Sequence, residues 1–306
     1  MSDKNVLPVS ERSKNVTNVP LERRTITPEI PKSVKIEVTS RCDLKCYFCQ
    51  LTIKDRVKKD INSDLFYKII DDLKSSGVEE VGLFWIGEPF INKLLPDYVK
   101  YAKSIGIPRV FITTNGRLAS YEKLKAVFDA GLDSIKFSIN ASTAEQYLAT
   151  TKVDAFDKVI NNIKIAHKAR GNNKASISAS SAYNEDKPED YEMIDKLISP
   201  YVDDHYKIKL YGDTVLNEGE FEFNENNRDL QSMLPCWSVF NVPHISYDGF
   251  LSACFSDFGK EWYMADLKKV SFIEGWNSEK FKKLREAHLK KDVTGTPCEH
   301  CTAYKI

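Results

Sequence analysis

Three cysteines within eight residues constrain this chain more than any other feature. Cys42, Cys46 and Cys49 have the spacing Cys-x3-Cys-x2-Cys and directly follow residues 34–38, an alternating run that predicts a β-strand. Thiolates this close together can wrap one face of an iron–sulfur cluster and leave one iron without a protein ligand. An iron with a free position can bind and reduce a small molecule. Structural zinc is the alternative, but it requires four closed ligands, and no histidine or fourth cysteine lies near this loop.

The loop resembles the signature of the radical S-adenosylmethionine (SAM) enzymes, which carry an aromatic residue before the last cysteine, here Phe48. The resemblance implies that SAM chelates the open iron of a [4Fe–4S] cluster and is cleaved to a 5′-deoxyadenosyl radical. It also implies that a flavodoxin- or ferredoxin-type protein supplies the electron.

Three further stretches are similar to the SAM-binding motifs of this family. Residues 85–89 resemble its glycine–glutamate motif, with Ile86 where many members carry glycine; residues 113–116 form a turn; and residues 138–140 match its ribose-binding position. On this resemblance, the residues implied to bind the cofactor are Phe48, Ile86, Gly87, Glu88, Asn115, Ser138, Asn140 and Ser178.

Strand-like and helix-like patterns alternate over residues 33–211, which predicts βα units around a parallel sheet. The predicted strands are 34–38, 80–85, 109–114, 133–139, 175–182 and 206–211. The predicted helices are 63–76, 94–105, 120–130, 156–170 and 188–199. This pattern suits a partial (β/α)6 TIM-like barrel, the architecture that the resemblance implies, with a doubly wound sheet as the second choice. The cysteine loop would then lie at the C-terminal end of the first strand, where such folds place their sites.

Strand alternation predicts that the apolar faces point outward to the helices and that the barrel lumen is polar. The residues predicted to line this lumen are Glu37, Lys136, Ser138, Asn140, Ser178, Ser180, Lys207 and Lys209. The alternative is that some of them face water at an edge, or that Glu37 pairs with a lysine. Because buried polar groups need partners, a polar substrate together with SAM would satisfy a lumen of this kind.

The rest of the chain predicts a mobile N-terminal arm or loosely packed strap over residues 1–32 and, over residues 212–306, an acidic connector followed by a separate unit. Lys plus Arg and Asp plus Glu both number 44, so a basic nucleic-acid-binding face is not expected. No apolar run approaches the length of a membrane span and no signal peptide is evident, so we expect a cytoplasmic protein without a membrane partner.

The four remaining cysteines lie in the last third of the chain: Cys236, Cys254, Cys298 and Cys301. From the residues alone, four thiolates suit either zinc or a fully ligated [4Fe–4S] cluster. Their context, including a predicted hairpin turn at residues 247–249, resembles the SPASM/twitch extension of radical SAM enzymes. With only four cysteines, the shorter twitch form with one auxiliary [4Fe–4S] cluster is implied. His300 is interpreted as a solvated loop residue with an outside chance of being a ligand.

The two groups of three and four cysteines use all seven in the chain, leaving no thiol to return a hydrogen atom to a substrate radical. This favours a net oxidation, and the resemblance to twitch enzymes that oxidise an aminocyclitol alcohol points to dehydrogenation of a polar alcohol. Lys136 or Lys209 could take the hydroxyl proton. Tyr183 or Tyr211 could replace a thiol donor if the reaction were instead an epimerisation.

Three alternatives stay open. The same extension supports crosslinking of a ribosomally made peptide, and sugar or aminoglycoside epimerisation or dehydration comes next. A non-catalytic zinc scaffold is the alternative from a different class of protein.

Overall fold

The computed structural model of this protein describes residues 8–49, 56–182, 187–208, 234–257, 261–299 and 301, and for residues 13 and 14 the backbone alone. Lys209, Tyr183, Tyr211 and His300, which the sequence analysis singled out, lie outside these ranges. Among the helices within them, none combines the length and the apolar character that crossing a bilayer requires.

Six parallel strands form the main sheet. They are β1 (Ser33–Ile36), β2 (Glu80–Gly82), β3 (Arg109–Thr114), β4 (Ser134–Ser138), β5 (Ser176–Ala182) and β6 (Asp204–Ile208). Within the sheet they stand in chain order, each parallel to the next. A doubly wound sheet would reverse its strand order at a switch point. The observed order therefore confirms the barrel-like alternative.

The five predicted helices are present and cover the sheet. They are α2 (Ser63–Ser75), α3 (Leu95–Ser104), α4 (Tyr121–Asp129), α6 (Phe156–Arg170) and α7 (Pro188–Ile198). Asn62 and Ser120 cap α2 and α4, since each side chain accepts a hydrogen bond from a backbone N–H of the first turn. Two further helices, α1 (Val9–Thr17) and α5 (Ala144–Thr151), were not predicted.

Buried apolar side chains fill the layer between strands and helices. Ile36, Ile135 and Phe137 are fully buried on the strand side, and Phe66 and Val127 on the helix side. An added Cβ at Gly116 would meet both Phe137 of β4 and Val159 of α6, so the apolar face of β4 points toward the helices. The outward direction predicted for this face is confirmed.

The C-terminal unit continues the same sheet. It contains α8 (Trp237–Phe240), β7 (His244–Ile245), β8 (Phe250–Ser252), β9 (Tyr263–Asp266), α9 (Phe272–Trp276) and α10 (Glu279–Leu289). Strand β7 pairs parallel with β1, whereas β8 and β9 follow antiparallel. The predicted hairpin turn joins β7 and β8, with Gly249 at a φ of +85°. The predicted division near residue 211 falls outside the described ranges and stays a prediction.

Residues 8–32 connect the barrel to the C-terminal unit. The backbone N–H of Ser10 donates to Asp204 at 2.9 Å, at the start of β6. Farther along, Arg23 donates to the Phe240 carbonyl at 2.6 Å, and the Trp276 indole donates to the Pro28 carbonyl at 3.1 Å. These contacts hydrogen-bond residues 8–32, here called the N-terminal strap, to both units.

Arg285 is a fully buried guanidinium at the centre of these connections. It donates to the carbonyls of Ile26 (3.2 Å), Val239 (3.4 Å) and Trp276 (2.9 Å). Its guanidinium also lies 3.9 Å from the Trp276 ring centroid, and burial lowers its pKa to about 9. One side chain thus joins the N-terminal strap, α8 and α9.

We predict that Arg285→Met destabilises the fold by about 2–3 kcal/mol, because it leaves three carbonyls without their donor. The free energy of unfolding in urea, measured anaerobically, checks this. Lys290→Met is the matched control: Lys290 is largely exposed and pairs with Glu286 on the surface of α10. Equal losses for the two variants would contradict the role given to Arg285.

Candidate active site at the carboxyl ends of the strands

The N-terminal cysteine loop follows β1 and is held on both sides. On one side the Lys59 backbone N–H donates to Ser40 Oγ at 2.8 Å, and Ser40 N–H donates back to the Lys59 carbonyl at 2.8 Å. On the other, the backbone N–H groups of Lys45 and Tyr47 donate to carbonyls at the C-terminal end of α5, at 3.0 and 3.1 Å. The loop geometry is therefore set by the fold before any ligand binds.

The loop after β2 packs directly on this cysteine loop. The Glu88 backbone N–H donates to the Arg41 carbonyl at 2.8 Å. A Cβ added to Gly87 would lie 2.0 Å from the Thr39 carbonyl oxygen and 2.8 Å from that of Arg41. Only glycine permits this approach, whereas Ile86 beside it is buried without such a clash.

Glu88 joins the second and third strand ends. Its carboxylate is 2% exposed and accepts hydrogen bonds from Phe90 N–H (3.1 Å), Thr114 Oγ1 (2.8 Å) and Asn115 N–H (2.7 Å). Burial raises its pKa to about 7 although these three donors favour the ionised form. Because a carboxylate has about four acceptor positions, Glu88 keeps capacity for a further donor.

The loop after β3 closes onto the cysteine loop through Asp43. Asn115 Nδ2 donates to Asp43 at 2.9 Å and lies 3.8 Å from Cys42 Sγ, and Arg117 donates to the other Asp43 oxygen at 2.8 Å. The ends of β1, β2 and β3 thus form one hydrogen-bonded assembly around the cysteines.

A cavity of about 110 Å³ opens beside this assembly. It brings together five residues that the sequence predicted for the cluster and SAM: Cys46, Phe48, Asn115, Ser138 and Asn140. Small-molecule pockets are typically about 300 Å³ or more, so this cavity encloses only part of a ligand the size of SAM. Ser178 is not among its lining residues; it lines a different cavity, with residues from the amino ends of the strands.

Tyr147 of α5 lines the same cavity and was missed by the sequence analysis. It is 2% exposed, and its hydroxyl has no hydrogen-bond partner within the described ranges. A buried hydroxyl facing a cavity beside Cys46 is satisfied by a polar ligand. The residues that line this cavity are therefore suited to binding SAM. The sequence does contain a signal for the start of α5, because Thr143 is its N-cap residue and Gln146 follows three positions later, as in a capping box.

The four C-terminal cysteines also lie near one another. Burial raises the pKa of Cys298 to about 12; the hydrogen bond from Trp262 lowers this pKa in part, and the charges of Cys236 and Cys301 raise it. Trp262 Nε1 donates to Cys298 Sγ at 3.2 Å. N–H donors to sulfur are typical of cluster thiolates, and bound iron takes cysteine in its deprotonated form.

Within the part of the chain that the structure describes, no group of three or more His, Cys, Asp or Glu side chains has the arrangement that holds a single metal ion. Cluster ligation is a different requirement, because each thiolate binds its own iron.

The polar lumen is present, with two corrections. Glu37 is fully buried, and Arg56 binds both of its carboxylate oxygens, at 2.8 and 3.0 Å, so its partner is an arginine and not a lysine. Lys207 does not line the lumen, because its ammonium lies 4.7 Å from the centroid of Tyr191 on the outer helix α7. The prediction failed for Lys207 because β6 is the last strand on its side of the sheet, where apolar alternation marks the inner face poorly.

Lys136 points into the lumen, opposite the outward-facing Phe137. Burial lowers the Lys136 pKa to about 8. On β1, Lys35 is in register with Gly82 of β2, and its ammonium lies 5.5 Å from the Phe84 ring centroid. Its pKa is also about 8, lowered by burial and then by the charge of Lys136.

Comparison with family models gives two matches. A model of the radical SAM superfamily matches residues 36–198, and a model of an iron-sulfur cluster-binding domain, SPASM, matches residues 236–302. Together they confirm the predicted cofactors, SAM with its [4Fe–4S] cluster and auxiliary [4Fe–4S] ligation.

Among curated proteins, the chain is 34% identical over 127 residues to a GTP 3′,8-cyclase of Chlorobaculum tepidum, covering 41% of this chain and 38% of the relative. It is 35% identical over 122 residues to a PqqA peptide cyclase of Bradyrhizobium diazoefficiens, covering 39% and 32%. An uncharacterized protein of Methanocaldococcus jannaschii is 34% identical over 134 residues, 44% and 43%. The matches span less than half of each relative.

Solved structures show the same fold. SuiB of Streptococcus suis bound to S-adenosylmethionine has a TM-score of 0.67 at 17% identity, covering 91% of this chain and 72% of that one. BtrN in complex with AdoMet and 2-DOIA has a TM-score of 0.56 at 16% identity, covering 86% and 88%.

The superfamily model covers more than half of the 306 residues, including the N-terminal cysteine loop, whereas the four C-terminal cysteines lie within the SPASM match. This protein belongs to the radical SAM superfamily and carries a SPASM iron–sulfur cluster-binding domain after its barrel.

Proposed function

We propose that this radical SAM enzyme abstracts hydrogen from a polar small molecule and oxidises an alcohol to a carbonyl. The proposal is carried by the number of cysteines, because the two clusters would require all seven. We assign Cys42, Cys46 and Cys49 to the SAM cluster and the other four to an auxiliary cluster, which leaves no thiol to quench a substrate radical. A reaction that ends by losing an electron fits this inventory better than one that ends by regaining a hydrogen atom.

When bound, SAM and the two clusters supply a 5′-deoxyadenosyl radical and an acceptor for one electron. Oxidation of the substrate H–C–OH group to C=O removes one hydrogen atom, one proton and one electron, of which the bound cofactors would take up the hydrogen atom and the electron. Lys136 is the base proposed for the hydroxyl proton. Its lowered pKa of about 8 gives it a larger neutral fraction near pH 7 than an ordinary lysine has. Lys209, the other lysine proposed for this role, lies outside the described ranges.

For the cofactor, we propose that Phe48, Asn115, Ser138, Asn140 and Tyr147 contact SAM around the cavity beside Cys46. Ile86 and Gly87 would contact SAM through their backbone atoms, and Glu88 would accept a hydrogen bond from it at its remaining acceptor position. Ser178 keeps only the role of a lumen residue, because its hydroxyl donates to the Ile135 carbonyl at 3.4 Å, away from this cavity.

Peptide modification is the second candidate. Two findings favour it: the match to a PqqA peptide cyclase, and the resemblance to SuiB in its structure bound to the precursor peptide SuiA, with a TM-score of 0.63 at 16% identity. A crosslinked peptide also loses two hydrogen atoms, so the chemical class of the compound that is consumed separates the two candidates.

We predict that Gly87→Ala lowers both the iron content of the reconstituted protein and its affinity for SAM, because the added methyl group pushes the β2 loop off the cysteine loop. Iron per chain should fall toward about half, since the auxiliary site is untouched. Iron analysis and equilibrium titration with SAM measure the two effects. Gly77→Asn is the control, because Gly77 has a positive φ but open space around it. A Gly87→Ala protein with normal iron and SAM affinity would contradict the assembly of loops described above.

The reaction type is tested by the product. We predict that 5′-deoxyadenosine forms one-for-one with a product two hydrogen atoms lighter than its substrate, with no solvent deuterium on carbon when the reaction runs in heavy water. Anaerobic incubation with SAM, a reductant and candidate alcohols, followed by mass spectrometry, measures this. A product of unchanged mass that carries one deuterium would show an epimerase and overturn the dehydrogenase proposal.

A further inference from the structure

The seam between the barrel and the C-terminal unit places two donors side by side. Lys35 of β1 and His244 of β7 are registered partners in the parallel pair that joins the two units. Neighbouring strands lie about 4.8 Å apart, and registered side chains share one face of the sheet. Since Ile36 and Val34 point toward the helices, Lys35 and His244 both face the lumen.

Within the described ranges, neither donor has an acceptor. The Lys35 backbone N–H donates to the Pro243 carbonyl, but its ammonium makes no hydrogen bond or ion pair there and lies 5.5 Å from the centroid of the Phe84 ring. His244 is 1% exposed, and its Nδ1 has no hydrogen-bond partner. Glu37, the nearest acid along β1, is occupied by Arg56. Burying such donors is unfavourable unless a ligand supplies acceptors.

The charges around this pair select the ligand. The positive charge of Lys136 acts on Lys35 and lowers its pKa, so an anion near Lys35 would relieve a repulsion. The His244 pKa is held well below its usual range by burial and by Lys35, which keeps the ring neutral. A neutral ring can carry a proton on Nδ1 and donate it. One cation beside one neutral donor matches a group with a single negative charge and two acceptor oxygens.

We propose that Lys35 and His244 form a carboxylate-binding site in the lumen, and that the substrate of this enzyme is an alcohol that also bears a carboxylate. One oxygen accepts from the Lys35 ammonium and the other from His244 Nδ1–H. The Trp85 ring, 5.1 Å from the His244 ring, fixes the imidazole from the side, while Trp85 Nε1 donates to the Phe255 carbonyl at 2.6 Å. The proposal rests on the function proposed above, because it assumes that the substrate enters the lumen, where Lys136 stays available as the base.

A small carboxylate tests this site without knowledge of the full substrate. The probe is 13C-acetate, added to the anaerobically reconstituted protein with both clusters oxidised, and its line broadening is measured by NMR. We expect saturable binding in the millimolar range and none for acetamide, the neutral analogue. Loss of a hydrogen bond to a charged group should make Lys35→Met bind acetate about tenfold more weakly or worse. His244→Phe should weaken binding as well.

Lys207→Met is the matched control, since Lys207 is a strand lysine on the outer face of the sheet, and it should bind acetate as the unmodified protein does. Iron content and thermal unfolding show that each variant is folded. Absence of saturable acetate binding, or acetate binding that Lys35→Met leaves unchanged, would overturn the proposal. Preferential binding of inorganic phosphate would overturn the choice of a carboxylate.

SAM cleavage without substrate, measured on the same samples, keeps the two proposals apart. Cleavage with no acetate binding refutes the carboxylate site alone, whereas acetate binding in a protein that cannot cleave SAM refutes the proposed function alone.

Discussion

The close backbone contact between Gly87 and Thr39 is the constraint on which the arrangement of this site depends. It brings the end of β2 against the cysteine loop at a distance that no other residue allows. Two residues near Gly87 make hydrogen bonds in opposite directions from this contact. Glu88 reaches the end of β3, and Trp85 donates to the Phe255 carbonyl, next to Cys254 of the C-terminal unit. This five-residue stretch therefore hydrogen-bonds to residues adjacent to a cysteine of each group, Arg41 beside Cys42 and Phe255 beside Cys254.

The second structural theme is the continuity of the sheet. Because β7 pairs parallel with β1, the strands of the C-terminal unit extend the barrel sheet, and the four cysteines lie in loops of this unit or at the start of α8. Arg285 hydrogen-bonds the N-terminal strap to the same unit. A continuous sheet suits the proposed oxidation, in which two redox groups serve one substrate, since small displacements of reacting groups are costly. The lumen between them holds the lysines for which we propose roles in substrate binding and proton transfer.

Much of this was predictable from the sequence. The cysteine spacing, the alternation of βα units and the inward direction of Lys136 follow from local patterns that the fold does not override. The failures have physical causes. Only two residues of α5 are buried, so the helix shows no apolar stripe and was not predicted. Tyr147, which lies on it, was therefore not identified as a site residue. Strand β7 has only two residues, too few to show alternation, so His244 was not noticed. Lys207 was assigned to the wrong face, and the burial of Arg285 depends on contacts with residues far away in the chain.

SAM cleavage at a cluster held by the N-terminal cysteines is the step on which the proposed reaction depends. The most direct measurement is iron content together with SAM cleavage in a variant in which Cys42, Cys46 and Cys49 are all replaced by alanine, reconstituted anaerobically and supplied with a strong reductant. The account predicts that about half of the iron remains, at the C-terminal cysteines, and that no 5′-deoxyadenosine forms. A variant that still cleaves SAM would contradict it.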